Sequence, residues 1–253
     1  MIQQSIVDIG RLKRALGLFS DDQFDGQDVL MTRYDSLNAE LSSRAFSLQR
    51  LPNSSAFECL QRVAAASNYV SRRLSDVFFR LYQIRWMTQV LLSAEGEDLA
   101  PWYTVAGLAV KDFHFDVASC MDSIAPLIIE THIGVKRKDR KFLPGFSHIQ
   151  KDRRYREKLP SQTVTLLDST ERWWPSIKSI RDILIHREHD RIVFGNPRMG
   201  VLFQVYQERA SPKILDASFM YPDATNVVDF TRYSAFVLCE ILLLLEDLVD
   251  QIC

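Results

Sequence analysis

The chain has 253 residues, 47% apolar and 25% charged, with a formal net charge of −1. Those values exclude a disordered tract, a collagen-like repeat and a disulfide-dense miniature scaffold, and they leave ample apolar side chain for a large core. They also exclude a uniformly basic nucleic-acid binder, so an anion-binding surface has to be local.

Residues 2–19 predict an amphipathic helix, with Ile2, Ile6, Ile9, Leu12 and Leu16 spaced by three and four, docked on a bundle. The first 20 residues lack the continuous apolar run of a signal peptide. The most apolar run, Phe236 to Leu245, contains Glu240 and is too short to span a bilayer. A cytoplasmic protein with no membrane partner is therefore expected. Cys59, Cys120, Cys239 and Cys253 are scattered without a CxxC pair, which suits reduced thiols and not a zinc site or disulfide framework. Residues 29–51 read as partly helical and end in the loop signal Pro52-Asn53-Ser54-Ser55, making residues 1–52 an N-terminal helical extension.

A long helix is predicted from Ala56 to Leu92, with Phe57, Leu60, Val63, Val70, Leu74, Val77 and Phe78 on its apolar face and a bend at Ser67-Asn68. Its arginines read as solvated. Residues 93–98 form a polar break, and Pro101 opens a second helix running to about Thr131. His114, between Phe113 and Phe115, is expected to be a partly buried structural histidine; Pro126 is expected to kink this helix.

Residues 134–158 predict a basic loop. From Lys136 to Lys158 there are ten Lys/Arg and three Asp/Glu, a local charge of +7 that leaves −8 for the rest of the chain. Lys136, Arg137, Lys138, Arg140, Lys141, Arg153 and Arg154 are the candidate RNA-phosphate contacts, with Phe142, Phe146 and Tyr155 available for stacking on bases. His148 lies in the same block and is expected to be a loop residue.

A further helix is predicted from Ser161 to His189, bent at Trp173-Trp174-Pro175. Its last part reads Ile180-Arg181-Asp182-Ile183-Leu184-Ile185-His186-Arg187. On an ideal wheel Arg181 lies about 40° from Ile177, on the apolar arc, where a guanidinium needs a partner or water. Asp182 and His186 are four apart, close enough for the carboxylate to orient the imidazole. Arg187, beside them, is a further candidate RNA-phosphate contact. The period then changes. Arg191–Phe194 and Val201–Tyr206 predict a β-hairpin, and Lys213–Phe219 a third strand, within an insert spanning 191–219. Residues 223–226 cap a last helix expected to reach Ile252. One mainly helical domain over 1–253 is the economical organisation.

No Gly-rich phosphate loop, HExxH, GxSxG or paired carboxylate motif is present, so neither cofactor nor metal is expected. RNA can still be cleaved without a metal, because its 2′-hydroxyl can be the nucleophile.

Arg181, Asp182 and His186 match, position by position, the R-(polar)-x3-5-H signature of the HEPN superfamily, which this chain resembles. The likeness covers the motif and its helix, and more loosely the helical layout of residues 57–253. It implies an all-α helical bundle, here with a small inserted β-hairpin before the C-terminal helix, acting as a metal-independent endoribonuclease. The expected roles follow. His186 serves as general acid or base. Arg181 clamps the scissile phosphate, and Asp182 orients His186. Arg181 and His186 stand about 140° apart on an ideal helix, and one chain offers one such histidine. A homodimer with a composite site is therefore expected, as the family resemblance also implies. HEPN toxins silenced by nucleotidyltransferase antitoxins carry a tyrosine two residues after the histidine. Glu188 stands there in this chain. That argues against adenylylation control, while another antitoxin or defence partner stays open. The alternatives are an RNA- or nucleotide-binding module without catalysis and a structural interaction subunit.

Overall fold

The computed structural model describes residues 55–92, 100–134, 143–186, 193–196, 200–204 and 227–251, with isolated positions at 36, 39, 40 and 43. The expected helix over 2–19, most of the expected helical part of 29–51, the strand at 213–219 and the cap at 223–226 lie outside them. Described elements are, in order, α1 (Ser55–Leu92), α2 (Ala100–His132), α3 (Phe146–Lys151), α4 (Arg153–Arg156), α5 (Ser161–Ser169), a 3-10 turn (Thr170–Arg172), α6 (Trp174–His186), β1 (Val193–Asn196), β2 (Gly200–Gln204), β3 (Val227–Asp229) and α7 (Phe230–Val249). The described chain is thus mostly helical, and none of its helices is long and apolar enough to cross a membrane.

The chain divides into two compact units. One comprises Met1–Thr32, Phe78–Phe115 and Arg172–Glu240, the other Arg33–Val77, Asp116–Glu171 and Ile241–Cys253. Among the described residues the boundaries fall inside α1, α2, the 3-10 turn and α7.

In the second unit, Val63, Val70, Leu74 and Val77 of α1 recur at helical spacing and are buried, as are Val117, Met121, Ile124 and Ile128 of α2. Burying a side chain of this size is worth about 1.5–3 kcal/mol, against about 0–1 kcal/mol for a surface ion pair, so these faces decide the packing. α1 continues through Ser67-Asn68 without a break, and α2 continues through Pro126. Gly134, at φ 65°, ends α2 by turning left-handed so that its N–H reaches the Ile129 carbonyl at 2.9 Å. Asp122 Oδ1 accepts the first N–H of α3, from Phe146, at 3.0 Å. The Gln150 side chain donates to Thr170 Oγ1 at 2.9 Å, and Thr163 donates to Gln251 Oε1 at 2.6 Å. These bonds fix α3 against the 3-10 turn, and α5 against the chain end after α7.

The first unit holds the sheet, ordered β1-β2-β3 and antiparallel throughout. A Cβ at Gly195 would run into the Gly200 carbonyl oxygen, so the pairing of β1 with β2 requires glycine there. β3 occupies residues expected to be the first turn of the last helix: Val227–Asp229 instead pair with β2, and α7 starts only at Phe230. His114 is buried completely rather than partly. Its Nδ1 lies 2.7 Å from the Val110 carbonyl and its Nε2 3.0 Å from the Tyr233 hydroxyl. A carbonyl only accepts, so Nδ1 carries the proton and Nε2 accepts from Tyr233. The imidazole stacks on Tyr233 at 5.4 Å and meets Phe203 edge-on at 5.7 Å. This knot joins α2, β2 and α7.

Candidate functional site

The helix carrying the Arg/His motif is shorter than expected. The predicted run from Ser161 to His189 is interrupted by the 3-10 turn at Thr170–Arg172, after which α6 begins at Trp174. Pro175 explains the restart: it lacks an N–H and crowds the carbonyl four residues earlier, yet suits a first helical turn. Trp173 and Trp174 are buried, with ring centroids 6.3 Å apart, and anchor that end. Arg172, just before them, donates from Nη2 to both Glu240 oxygens at 2.9 Å.

From there the spacing of Ile177, Ile180 and Leu184 buries one face of α6. Arg181 sits at the edge of that face, its side chain 23% exposed. It finds its partner in the next residue. Nε and Nη2 both donate to Asp182 Oδ1, at 2.9 and 2.6 Å. The pair leaves Arg181 Nη1 and Asp182 Oδ2 outside it. His186 is the last residue of α6, about 7.5 Å further along the axis. Its side chain, and Arg187, lie outside the described residues, so the expected Asp182–His186 contact does too.

The basic stretch is only partly described. Lys136, Arg137, Lys138, Arg140 and Lys141 lie outside it; Arg153 and Arg154 lie within. The segment expected as loop is helical from Phe146, because Phe146 and Ile149 are buried and Asp152 caps α4 by accepting the Arg154 N–H at 2.9 Å. Arg153 is 89% exposed and pairs with Glu157; Arg154 is 79% exposed and its Nη2 lies 2.6 Å from Asp152 Oδ2. Arg154 holds the Asp152 carboxyl well below the usual carboxylate range, with His148 adding to the effect. His148 Nε2 is 3.0 Å from Asp152 Oδ2, and its ring meets Tyr155 edge-on at 5.8 Å. That grouping is not among the expected site residues, although His148 and Asp152 stand at i,i+4. Arg156 has a structural job instead: it donates to the Gln150 carbonyl at 2.8 Å and pairs with Asp168 at 2.7 Å.

Of the cysteines, Cys120 and Cys239 are buried free thiols, and burial pushes Cys120 up to about 12, which makes it unreactive. Among the described residues, no three His, Cys, Asp or Glu side chains are grouped to hold a metal ion. Compared with family models, curated proteins and solved structures, the chain matches none.

Proposed function

We propose that this protein is a metal-independent endoribonuclease of the kind its HEPN-like motif implies, working as a homodimer. The observation that supports it best is the setting of Arg181: a guanidinium at the edge of a buried helical face, held by Asp182 through Nε and Nη2, five residues before His186 at the end of α6. A charged group there is costly to bury and is retained with a partner that a phosphate can displace or join. Arg181 would bind the scissile phosphate through the donors outside the Asp182 pair. His186, the last described residue of α6, would exchange the proton. The 2′-oxygen forms a bond to phosphorus as the bond to the 5′-oxygen breaks. A base takes the 2′-hydroxyl proton, an acid protonates the leaving oxygen, and a cyclic phosphate remains. Two proton-transfer groups are needed, which is why a second chain is invoked.

The deciding experiment incubates the purified protein with RNA in EDTA and examines the ends. Cyclic-phosphate ends, lost in Arg181→Ala and His186→Ala, support the proposal; intact RNA refutes it. The exposed Arg153 and Arg154, with the half-buried Tyr155 beside them, favour a second reading, RNA binding without cleavage, which the same samples reveal as a retarded but uncut RNA.

A further inference from the structure

One face of α2 in the first unit carries two exposed apolar side chains among polar ones. Leu108 is 54% and Phe115 38% exposed; Tyr103, also exposed, lies five residues before Leu108 and about 140° round the helix, off this face. Leu108 and Phe115 are seven residues apart and so lie within about 20° of each other on the helix. A single surface leucine needs no explanation. What calls for one is the pattern between them. Lys111 and Asp112 fall on the same side, both partly exposed, giving Leu108-x-x-Lys111-Asp112-x-x-Phe115.

That pattern is self-complementary. Run a second copy of α2 antiparallel to the first, with a two-fold axis midway between residues 111 and 112. Leu108 then faces the partner's Phe115, and Lys111 faces the partner's Asp112. The symmetry repeats both contacts, as an isologous interface must. A parallel pairing in register would instead place Lys111 against the partner's Lys111 and Asp112 against the partner's Asp112. The side of the face is fixed by Arg80 of α1, whose Nη1 lies 3.4 Å from Asp112 Oδ2 and 3.1 Å from Gln83 Oε1. The residue before Arg80 is Phe79, 63% exposed and so a further apolar side chain on the neighbouring helix.

We infer that this face of α2 is the self-association surface of the protein, with a second copy of this chain as its occupant. The pairing deepens the dimeric part of the nuclease reading and rests on it for any role in cleavage. Its own readout is mass, so either can fail alone. The full-length chain is measured by sedimentation equilibrium over a wide concentration range. Wild type is expected to dimerise, and Leu108→Glu to sediment as a monomer with an unchanged circular-dichroism spectrum, since the side chain is exposed. Lys111→Glu and Asp112→Lys each put like charges in both contacts of their own homodimer and should weaken it about tenfold or more. Mixed with each other, they place Glu against Lys in one contact and Lys against Asp in the other, and should recover near-wild-type association. A wild type that is monomeric throughout overturns the inference. A dimer indifferent to Leu108→Glu places the interface elsewhere and overturns it too. Charge reversals that weaken the dimer but do not recover on mixing overturn the antiparallel two-fold arrangement. An RNA assay that fails while the dimer behaves as described removes the nuclease reading and leaves this one standing.

Discussion

Arg181 in the first unit and Arg154 in the second make nearly the same interaction: a guanidinium donating through Nε and Nη2 to an aspartate close in sequence. Their surroundings differ. Arg181 stands at the rim of a buried face, while Arg154 stands almost wholly in water. Water and salt screen the Arg154 guanidinium, although Asp152 beside it is only 17% exposed, so its charge remains accessible to any polyanion that arrives. Arg181 is screened less, so its charge acts at short range on whatever it touches. On the proposed reading the two pairs would serve different tasks: Arg181 acting on one phosphate at α6, and Arg154 with the basic segment gathering many.

The largest expected effect tests the first task. Arg181→Ala and His186→Ala should each lower single-turnover RNA cleavage by about 10²–10⁴-fold with RNA affinity largely kept. Mixing the two variant chains sharpens the result. A composite dimer regains partial activity through one intact Arg181–His186 pairing, whereas a site built within one chain regains none. Equal loss of affinity in these variants and in those of the basic segment would dissolve the distinction between the regions.

Burial of a titratable group has a second consequence in the first unit, at His114. Desolvation lowers its pKa to about 4 from an ordinary 6.5, against the smaller opposing effect of its bond to the Val110 carbonyl. The unfolded chain takes up this proton near pH 6.5 and the folded chain only near pH 4. The contribution is therefore complete above pH 6.5 and is lost as the pH falls towards 4, by about 3 kcal/mol in all. Urea unfolding between pH 7 and 4.5 should show that decline. His114→Gln, less stable at pH 7, should show a flatter one. Parallel curves for the two proteins would mean that acid acts elsewhere.

How much of this was legible in the sequence follows from length and period. α1 and α2 fall within a residue of their expected limits, because their apolar side chains recur over many turns. α3 has six residues and α4 four, too few for a period to show, so their charges dominated and suggested a loop. β3 has three residues and is specified by pairing with β2 more than by its own sequence. His114 was recognised as structural, but its full burial depends on Tyr233, 119 positions away. At the site, the sequence pointed Asp182 towards His186 because i,i+4 side chains are neighbours on a helix, while adjacent ones diverge. The arginine side chain is long enough to fold back over its neighbour, and the spacing rule does not anticipate that.

A moderate effect is expected from the basic segment. Neutralising Lys136, Arg137, Lys138, Arg153 and Arg154 together should weaken RNA binding and flatten its salt dependence, by about 0.7 in the log–log slope for each lost contact with single-stranded RNA. The cleavage rate at saturating RNA should change little. An unaltered slope would show that these side chains meet only solvent.

The smallest effect isolates the exposed pair itself. Asp152 accepts from the Arg154 side chain and backbone and lies against His148. Asp152→Asn removes its negative charge but keeps an oxygen to cap α4. Were the aspartate holding Arg154 back from RNA, the variant would bind more tightly, with a slope steeper by up to about 0.7, one added phosphate contact. Because the pair is screened, the gain should shrink as salt is raised and vanish near the Debye limit of about 3 Å at 1 M. The matching change at the other pair, Asp182→Asn, should instead lower cleavage at every salt concentration, since Arg181 loses the carboxylate that fixes its direction. Filter-binding titrations of the first variant and single-turnover rates of the second, each over the same salt series, separate the two. If both respond to salt alike, the difference in burial between Arg181 and Arg154 has no functional weight.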